Sequence, residues 1–193
     1  GGIPMIMYQN GEIDVAGVGA TDVAKVSDPS NPLHDQLQIA PEFSVGYVAF
    51  NPTRVPFNDV RMRRAFSLAV DKDKLASTVL QNVLPRADGL LPPGMPGFNS
   101  DLKKQPFDAA QAKALLDQYV KEKGPLPTIT LTSAGVGSDP GPVISALVDM
   151  WRQGLGVEVR VKLLDPDTYN YSIKQQKDEM FDTIRQFITD VVS

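Results

Sequence analysis

The side chains that most often carry catalysis are thinly spread in this chain. There is no cysteine and a single histidine, His34. Thiolate nucleophiles, cysteine–zinc sites and disulfides are therefore excluded together, and a metal site would have to use carboxylates plus one imidazole. His34 lies in a proline-bounded polar loop with no second histidine at ligand spacing, and it reads as a solvated loop side chain. The acid pairs Asp71/Asp73 and Asp165/Asp167 stand at expected helix starts, where capping and the helix dipole account for them. No G-x-S-x-G elbow occurs, so serine chemistry would rest on one unsupported histidine. Gly135 to Gly141 follows an expected strand and precedes an expected helix, the right setting for an anion at a helix N-terminus. It lacks the glycine register and the lysine of a phosphate loop and reads as a flexible turn, whose backbone N–H groups could still face a ligand. These residues give no catalytic centre, no metal site and no cofactor.

The elements that hold these residues are those of an ordinary globular domain. The 193 residues suffice for a sizeable core, and 42% hydrophobic against 22% charged residues argues against disorder. A net charge of −4 gives no basic footprint for nucleic acid. No apolar run approaches the roughly 18 residues of a membrane span. Gly1-Gly2-Ile3-Pro4 has neither a basic n-region nor an h-region, so an internal or trimmed start is expected.

Alternation predicts a short buried strand over Glu12–Val18, and Thr21-Asp22 should cap a helix to about Ser27. Asp28 to Pro32 is turn chemistry. Gln36 to Asn51 is strand-like, interrupted near Pro41. Asn58-Asp59 opens a helix whose stripe is Val60, Met62, Ala65, Phe66, Ala69 and Val70. Asp71 caps another, to about Leu80, with Leu75 and Val79 inward, and Pro85 to Pro106 is a long irregular loop. Asp108 and Gln111 form a capping pattern, with Phe107 and Ala112 as a staple. The stripe behind it is Ala112, Leu115, Leu116, Tyr119 and Val120, ending at Gly124. A strand over Thr128–Thr132 then leads, after Pro142, to a helix burying Val143, Leu147, Met150 and Trp151, and to a strand over Val157–Leu163. That is a βαβ unit. A helix from Asp165-Pro166 and a strand from Phe181 to Ile188 complete an α/β class chain.

Val48-Ala49-Phe50-Asn51, followed by Val55-Pro56-Phe57-Asn58-Asp59-Val60-Arg61-Met62-Arg63-Arg64-Ala65 and Ala69-Val70-Asp71-Lys72, closely resembles the signature of the bacterial solute-binding family 5. The similarity continues in order through Gly11-Glu12-Ile13-Asp14, the loop Pro85 to Pro96, the helix Phe107-Asp108 to Leu116, and Trp151 to Leu163. The resemblance implies a lobe of the type II periplasmic-binding-protein kind, a mixed sheet flanked by helices. Family members are much longer, so the chain is expected to be a fragment. Residues 1–45 would be the tail of the first lobe, 46–51 a hinge crossing and 52–193 most of the second lobe.

The implied function is capture of a peptide or similar small solute between two lobes, without chemistry, for delivery to ABC permease subunits in the membrane. The implied location is periplasmic or cell-surface and lipid-anchored, with a signal peptide outside the fragment; the full-length protein would be a monomer. The alternatives are a solute-sensing domain of a regulator with the same fold and an α/β enzyme domain. Among signature residues, Arg61, Arg63, Arg64 and Asp71 read as structural. In peptide binders of the family, the cleft is faced by an aromatic and a basic residue before the last strand, and by a tryptophan and an aspartate after it. The resemblance puts Tyr169 at the aromatic position, Gln176 at or near the basic one, Phe187 near the tryptophan and Asp190 near the aspartate that meets a peptide amino terminus. Gln176 lacks the charge to anchor a carboxylate, and the step from Asp182 to Asp190 is one residue shorter than the family pattern.

Overall fold

Capped apolar stripes and runs of β-branched residues build most of the elements that the periodicities predict, with a further helix at Ile3–Gln9 that they do not. The computed structural model describes residues 3–39, 43–135, 137–175 and 177–186. It divides into two units, Gly1–Glu42 with Asp73–Arg86, and Phe43–Lys72 with Ala87–Ser193.

The second unit carries a mixed sheet of β1 (Ser44–Phe50), β2 (Ile129–Ala134), β3 (Val159–Leu164) and β4 (Met180–Gln186), in the order β1-β4-β2-β3. β2 and β3 are parallel, from Ile129↔Val159 to Ala134↔Leu164, with α6 (Gly141–Leu155) between them in sequence: the expected βαβ unit. β1 runs antiparallel to β4. Helices α3 (Val60–Leu68), α5 (Ala109–Lys123), α6 and α7 (Pro166–Gln175) accompany this sheet, so the class is α/β with a mixed sheet.

Asp59 caps α3 by accepting from the Arg61 amide at 2.9 Å. Met62, Ala65, Phe66 and Ala69 form its buried stripe, whereas Val60, in the first turn, is exposed. Phe66 packs edge-on to Phe57 (centroids 5.0 Å) and beside Trp151 (5.5 Å), and Phe57 stacks on Phe50 (4.8 Å). The last turn of a helix leaves carbonyls without helical partners. Here the Trp151 indole donates to Phe66 O at 2.9 Å, and the Asp108 amide donates to Leu68 O at 2.9 Å. α3 is thereby bonded to α6 and to the start of α5.

Asp108 caps α5 as expected, accepting from the Gln111 amide at 2.8 Å. Phe107 remains 52% exposed although Ala112 is buried, because the bond to Leu68 O, not an apolar staple, sets the entry of this helix. The α5 stripe is Ala112, Leu116 and Tyr119; Leu115 is half-buried and Val120 lies at the exposed rim. α6 buries Ile144, Leu147, Trp151 and Leu155, with the expected Val143 and Met150 half-buried. It ends on Gly156, left-handed at φ 70°, whose amide donates to Arg152 O at 2.9 Å. Inside α6, a Cβ on Gly154 would meet Ala69 Cβ at 3.5 Å, an ordinary contact. Gly154→Ala is therefore expected to stabilise the chain by about 0.5–1 kcal/mol. A thermal melt showing a loss instead would mean that α3 and α6 have no room to spare there.

In the first unit, α1 (Ile3–Gln9) and α2 (Ala20–Val26) precede a turn of 3-10 helix at His34–Gln36. The expected strand over Glu12–Val18 does not form: the segment is irregular, and Val15 is 84% exposed. Alternation gives a strand only when a ladder partner is present, and none is found for it among the described residues. α2 starts two residues earlier than a Thr21 cap would give. Its N-cap is Gly19, whose carbonyl accepts from Asp22 and Val23. The strand expected from Gln36 begins only at Ser44, with Ile39 exposed; Pro41 lies outside the described residues. Asp28 orders its loop by accepting from the Ser30 amide (2.8 Å) and hydroxyl (2.7 Å). After α4 (Lys72–Lys74), Leu75–Val79 forms a π-helical turn that buries Ala76.

Candidate functional site

Two constructions stand out: the turn that carries the signature residues, and the face shared by α7 and β4. At the end of β1, Asn51 is buried and fully engaged. Its amide donates to Glu179 O (2.9 Å), and its side-chain Nδ2 donates to Asp178 O (3.2 Å). Its Oδ1 accepts from the Thr53 amide (3.1 Å) and hydroxyl (2.8 Å). Asn51 thus closes the turn into Pro56-Phe57, where the Val55–Pro56 peptide is cis, and fastens that turn to the segment entering β4.

The signature arginines act in the same neighbourhood. Arg61 pairs with Asp59 (2.7 Å) and Glu122 (2.9 Å) and lies 6.0 Å from the Tyr119 ring centroid. The hydrogen bonds from Arg61 hold the Asp59 carboxyl below the ordinary aspartate range, and Arg61 is itself more firmly protonated. Arg63 donates to Phe57 O at 2.6 Å, and Arg64 is exposed. Arg61 and Arg63 therefore tie the turn, α3 and α5 together.

On the second face, Tyr169 of α7 is 7% exposed, and its hydroxyl donates to Asp182 O of β4. Its amide bonds Asp165 O at 2.8 Å, while the Asp165 carboxylate accepts from the Thr168 amide at 3.1 Å, giving α7 its start. Asp178 Oδ2 accepts from Thr132 Oγ1 (2.6 Å), Lys162 Nζ (3.2 Å) and Ser172 Oγ (3.5 Å). Burial acts to raise the Asp178 carboxyl, but these hydrogen bonds and the Lys162 charge outweigh it and leave it below the ordinary range. At Asp182 the balance is reversed: burial pushes the carboxyl up, and the Ser133 hydroxyl, at 3.1 Å, offsets only part of that. Of the four residues expected to meet a ligand, Tyr169 is placed here; Gln176, Phe187 and Asp190 lie outside the described residues.

The sequence did not single out Asn51, Asp178, Glu179 and Asp182 as a group. A signal was present in Thr130, Thr132 and Ser133: polar residues on a central strand need partners, and Thr132 and Ser133 are buried.

The remaining candidates carry less. His34 is half-buried, and its Nδ1 makes no hydrogen bond among the described residues. In the turn before α6, the Asp139 carboxylate accepts from the Gly141 amide at 2.8 Å and so occupies the helix start where an anion would sit. Among the described residues, no group of three acids or histidines is arranged to hold a metal ion. A cleft of about 390 Å³ is bordered by Val55, Asn58, Asp59, Tyr119 and Lys123, but Asp59 is already bound to Arg61. In the first unit, a cleft of about 220 Å³ lies beside Ile6, Asp22, Lys25 and Leu33.

Comparison with known proteins gives a consistent result. The profile of the bacterial extracellular solute-binding proteins, family 5 (middle region), matches residues 4–189. The dipeptide-binding protein of Escherichia coli is 39% identical over 88 residues, 46% of this chain and 16% of its own length. The oligopeptide-binding protein OppA of Bacillus subtilis is 30% identical over 174 residues, 86% of this chain and 31% of its own. The murein tripeptide binding protein MppA of Escherichia coli has the same fold, with a TM-score of 0.80 and 23% identity over 94% of this chain and 36% of its own. The chain thus spans about a third or less of the length of these relatives.

Proposed function

The chain belongs to the bacterial extracellular solute-binding proteins of family 5, and on that premise we propose that it forms part of a protein that captures peptides or similar small solutes for an ABC importer. The observation that carries this reading is the family match over residues 4–189, supported by relatives named for dipeptide and oligopeptide binding. In this reading the protein binds and does no chemistry. It works outside the cytoplasmic membrane, periplasmic or held at the surface by a lipid, and hands its solute to permease subunits. Residues 1–45 belong to one lobe, 46–51 cross between lobes and 52–193 form most of the other. Tyr169, Gln176, Phe187 and Asp190 line the solute site. The Tyr169 hydroxyl is already bonded to Asp182 O, so its share is through the ring. Asp190 meets a ligand amine.

The test is titration of tri-alanine, free and N-acetylated, into the complete gene product, its Asp190→Asn variant, and residues 1–193 alone. A carboxylate in a water-poor cleft gains far more from an ammonium than one in bulk water. Asp190→Asn should therefore weaken free tri-alanine by roughly 2–4 kcal/mol and leave the acetylated peptide nearly unaffected. Residues 1–193 alone should bind neither. Micromolar binding to that chain, or equal losses for both peptides, would overturn the assignment.

A further inference from the structure

β4 is joined to its two neighbours very unequally. Against β1 it is in register over the whole strand, from Ser44↔Gln186 to Phe50↔Met180. Against β2 the parallel ladder holds only Leu131↔Met180 and Thr132↔Phe181 among the described residues. The sheet is thus an antiparallel ribbon, β1–β4, and a parallel pair, β2–β3, meeting along a short seam.

Side chains complete that seam. Glu179 Oε2 accepts from the Thr130 amide at 2.9 Å, Asp178 Oδ2 from Thr132 Oγ1 at 2.6 Å, and Asp182 Oδ2 from Ser133 Oγ at 3.1 Å. Three donors of β2 are met by three carboxylates of β4 and its lead-in. A charged acceptor makes a shorter and stronger hydrogen bond than a neutral one. The same lead-in is bonded on its other flank through its main chain, where Asp178 O and Glu179 O accept from Asn51. Residues 178–179 therefore bond to the end of β1 with their backbone and to β2 with their side chains. Lys162 and Ser172 reach the same Asp178 oxygen from β3 and α7.

We infer that Asp178, Glu179 and Asp182 are positioning residues that fix the β1–β4 ribbon onto the β2–β3 pair, so that the ribbon loosens as a unit when they are removed. Removing one acceptor takes a bond from the seam but none from the aromatic cluster around Phe66 or from α5 and α6. The consequence for solute binding rests on the function proposed above; the coupling itself does not.

Hydrogen exchange read by mass spectrometry on residues 1–193 tests it without any ligand. Asp178→Ala and Glu179→Ala are each expected to speed exchange in Ser44–Phe50 and Met180–Gln186 about tenfold, the size of one net hydrogen bond. Peptides from α5 and α6 should change by less than about twofold, because local opening leaves other cooperative units closed. Asp178→Asn and Glu179→Gln keep an acceptor oxygen and should recover most of the protection. An unchanged β1–β4 ribbon, or a rise spread equally over α5 and α6, overturns the inference. If an alanine variant fails to fold, the small loss of protection left in the amide variants decides: confined to the ribbon it supports the inference, and absent or spread over α5 and α6 it refutes it. A complete protein that fails to bind tri-alanine would sink the proposed function while leaving this exchange pattern standing.

Discussion

Phe66→Ala is expected to cost about 3–5 kcal/mol, the range for deleting a fully buried aromatic ring. Phe66 is 0% exposed and touches the rings of Phe57 and Trp151, with Phe50 edge-on at 6.3 Å. Those rings belong to β1, the signature turn and α6, so the cavity would open where three segments meet and have little freedom to collapse. Arg63→Gln is the internal comparison. It loses a hydrogen bond to Phe57 O at a partly buried site, worth about 1 kcal/mol net. Urea denaturation of the two variants should rank Phe66→Ala well above Arg63→Gln. The opposite order would mean that the arginine, not the ring cluster, holds the turn on α3.

Asn51→Leu, which keeps the branching of the side chain but removes its polar atoms, is expected to cost about 1–3 kcal/mol, the penalty for stranding buried polar partners. The residue is 6% exposed, and its side chain serves Asp178 O on one side and the Thr53 amide and hydroxyl on the other. Leucine leaves the Asp178 carbonyl and the Thr53 amide to find other partners in a place that admits little water. Thr53→Val removes only the hydroxyl, at an exposed position, and should stay within about 0.5 kcal/mol of the parent. Equal melts for Asn51→Leu and the parent would show that water replaces both bonds.

What the sequence made legible follows from how local each signal is. Asp59 and Asp108 announce helix starts because capping depends on residues only two or three positions away. The strand–helix–strand run ending at Leu164 was legible for the same reason, with a period and a stop signal in each element. Glu12–Val18 misled because its alternation is necessary for a strand but not sufficient. Val60, Phe107 and Val120 looked like core by spacing, yet lie at helix ends or rims where the packed face has run out. The candidate site was least legible of all. The partners of Asp178 and Glu179 are 46 and 49 residues away in β2, a separation that no local pattern reports. The motif around Asn51 pointed to a family but not to the bonds Asn51 makes. Tyr169 was named for a ligand, and the bond of its hydroxyl to Asp182 O depends on a strand that begins eleven residues later, at Met180.

Among the described residues β3 closes the sheet order on one side, and its positions Arg160 and Lys162 are exposed, as is Glu158 just before it. The last strand of a sheet is a template on which another molecule's strand can assemble, and charged side chains are a usual deterrent. If two copies met antiparallel along β3, centred on Val161, Arg160 of each would lie opposite Lys162 of the other. Like charges in directly opposed positions destabilise such a pair. Lys162, held by Asp178 within one molecule, would have to keep that bond while facing a second cation. The alternation that made this strand easy to recognise thus also works against runaway stacking of one chain on the next.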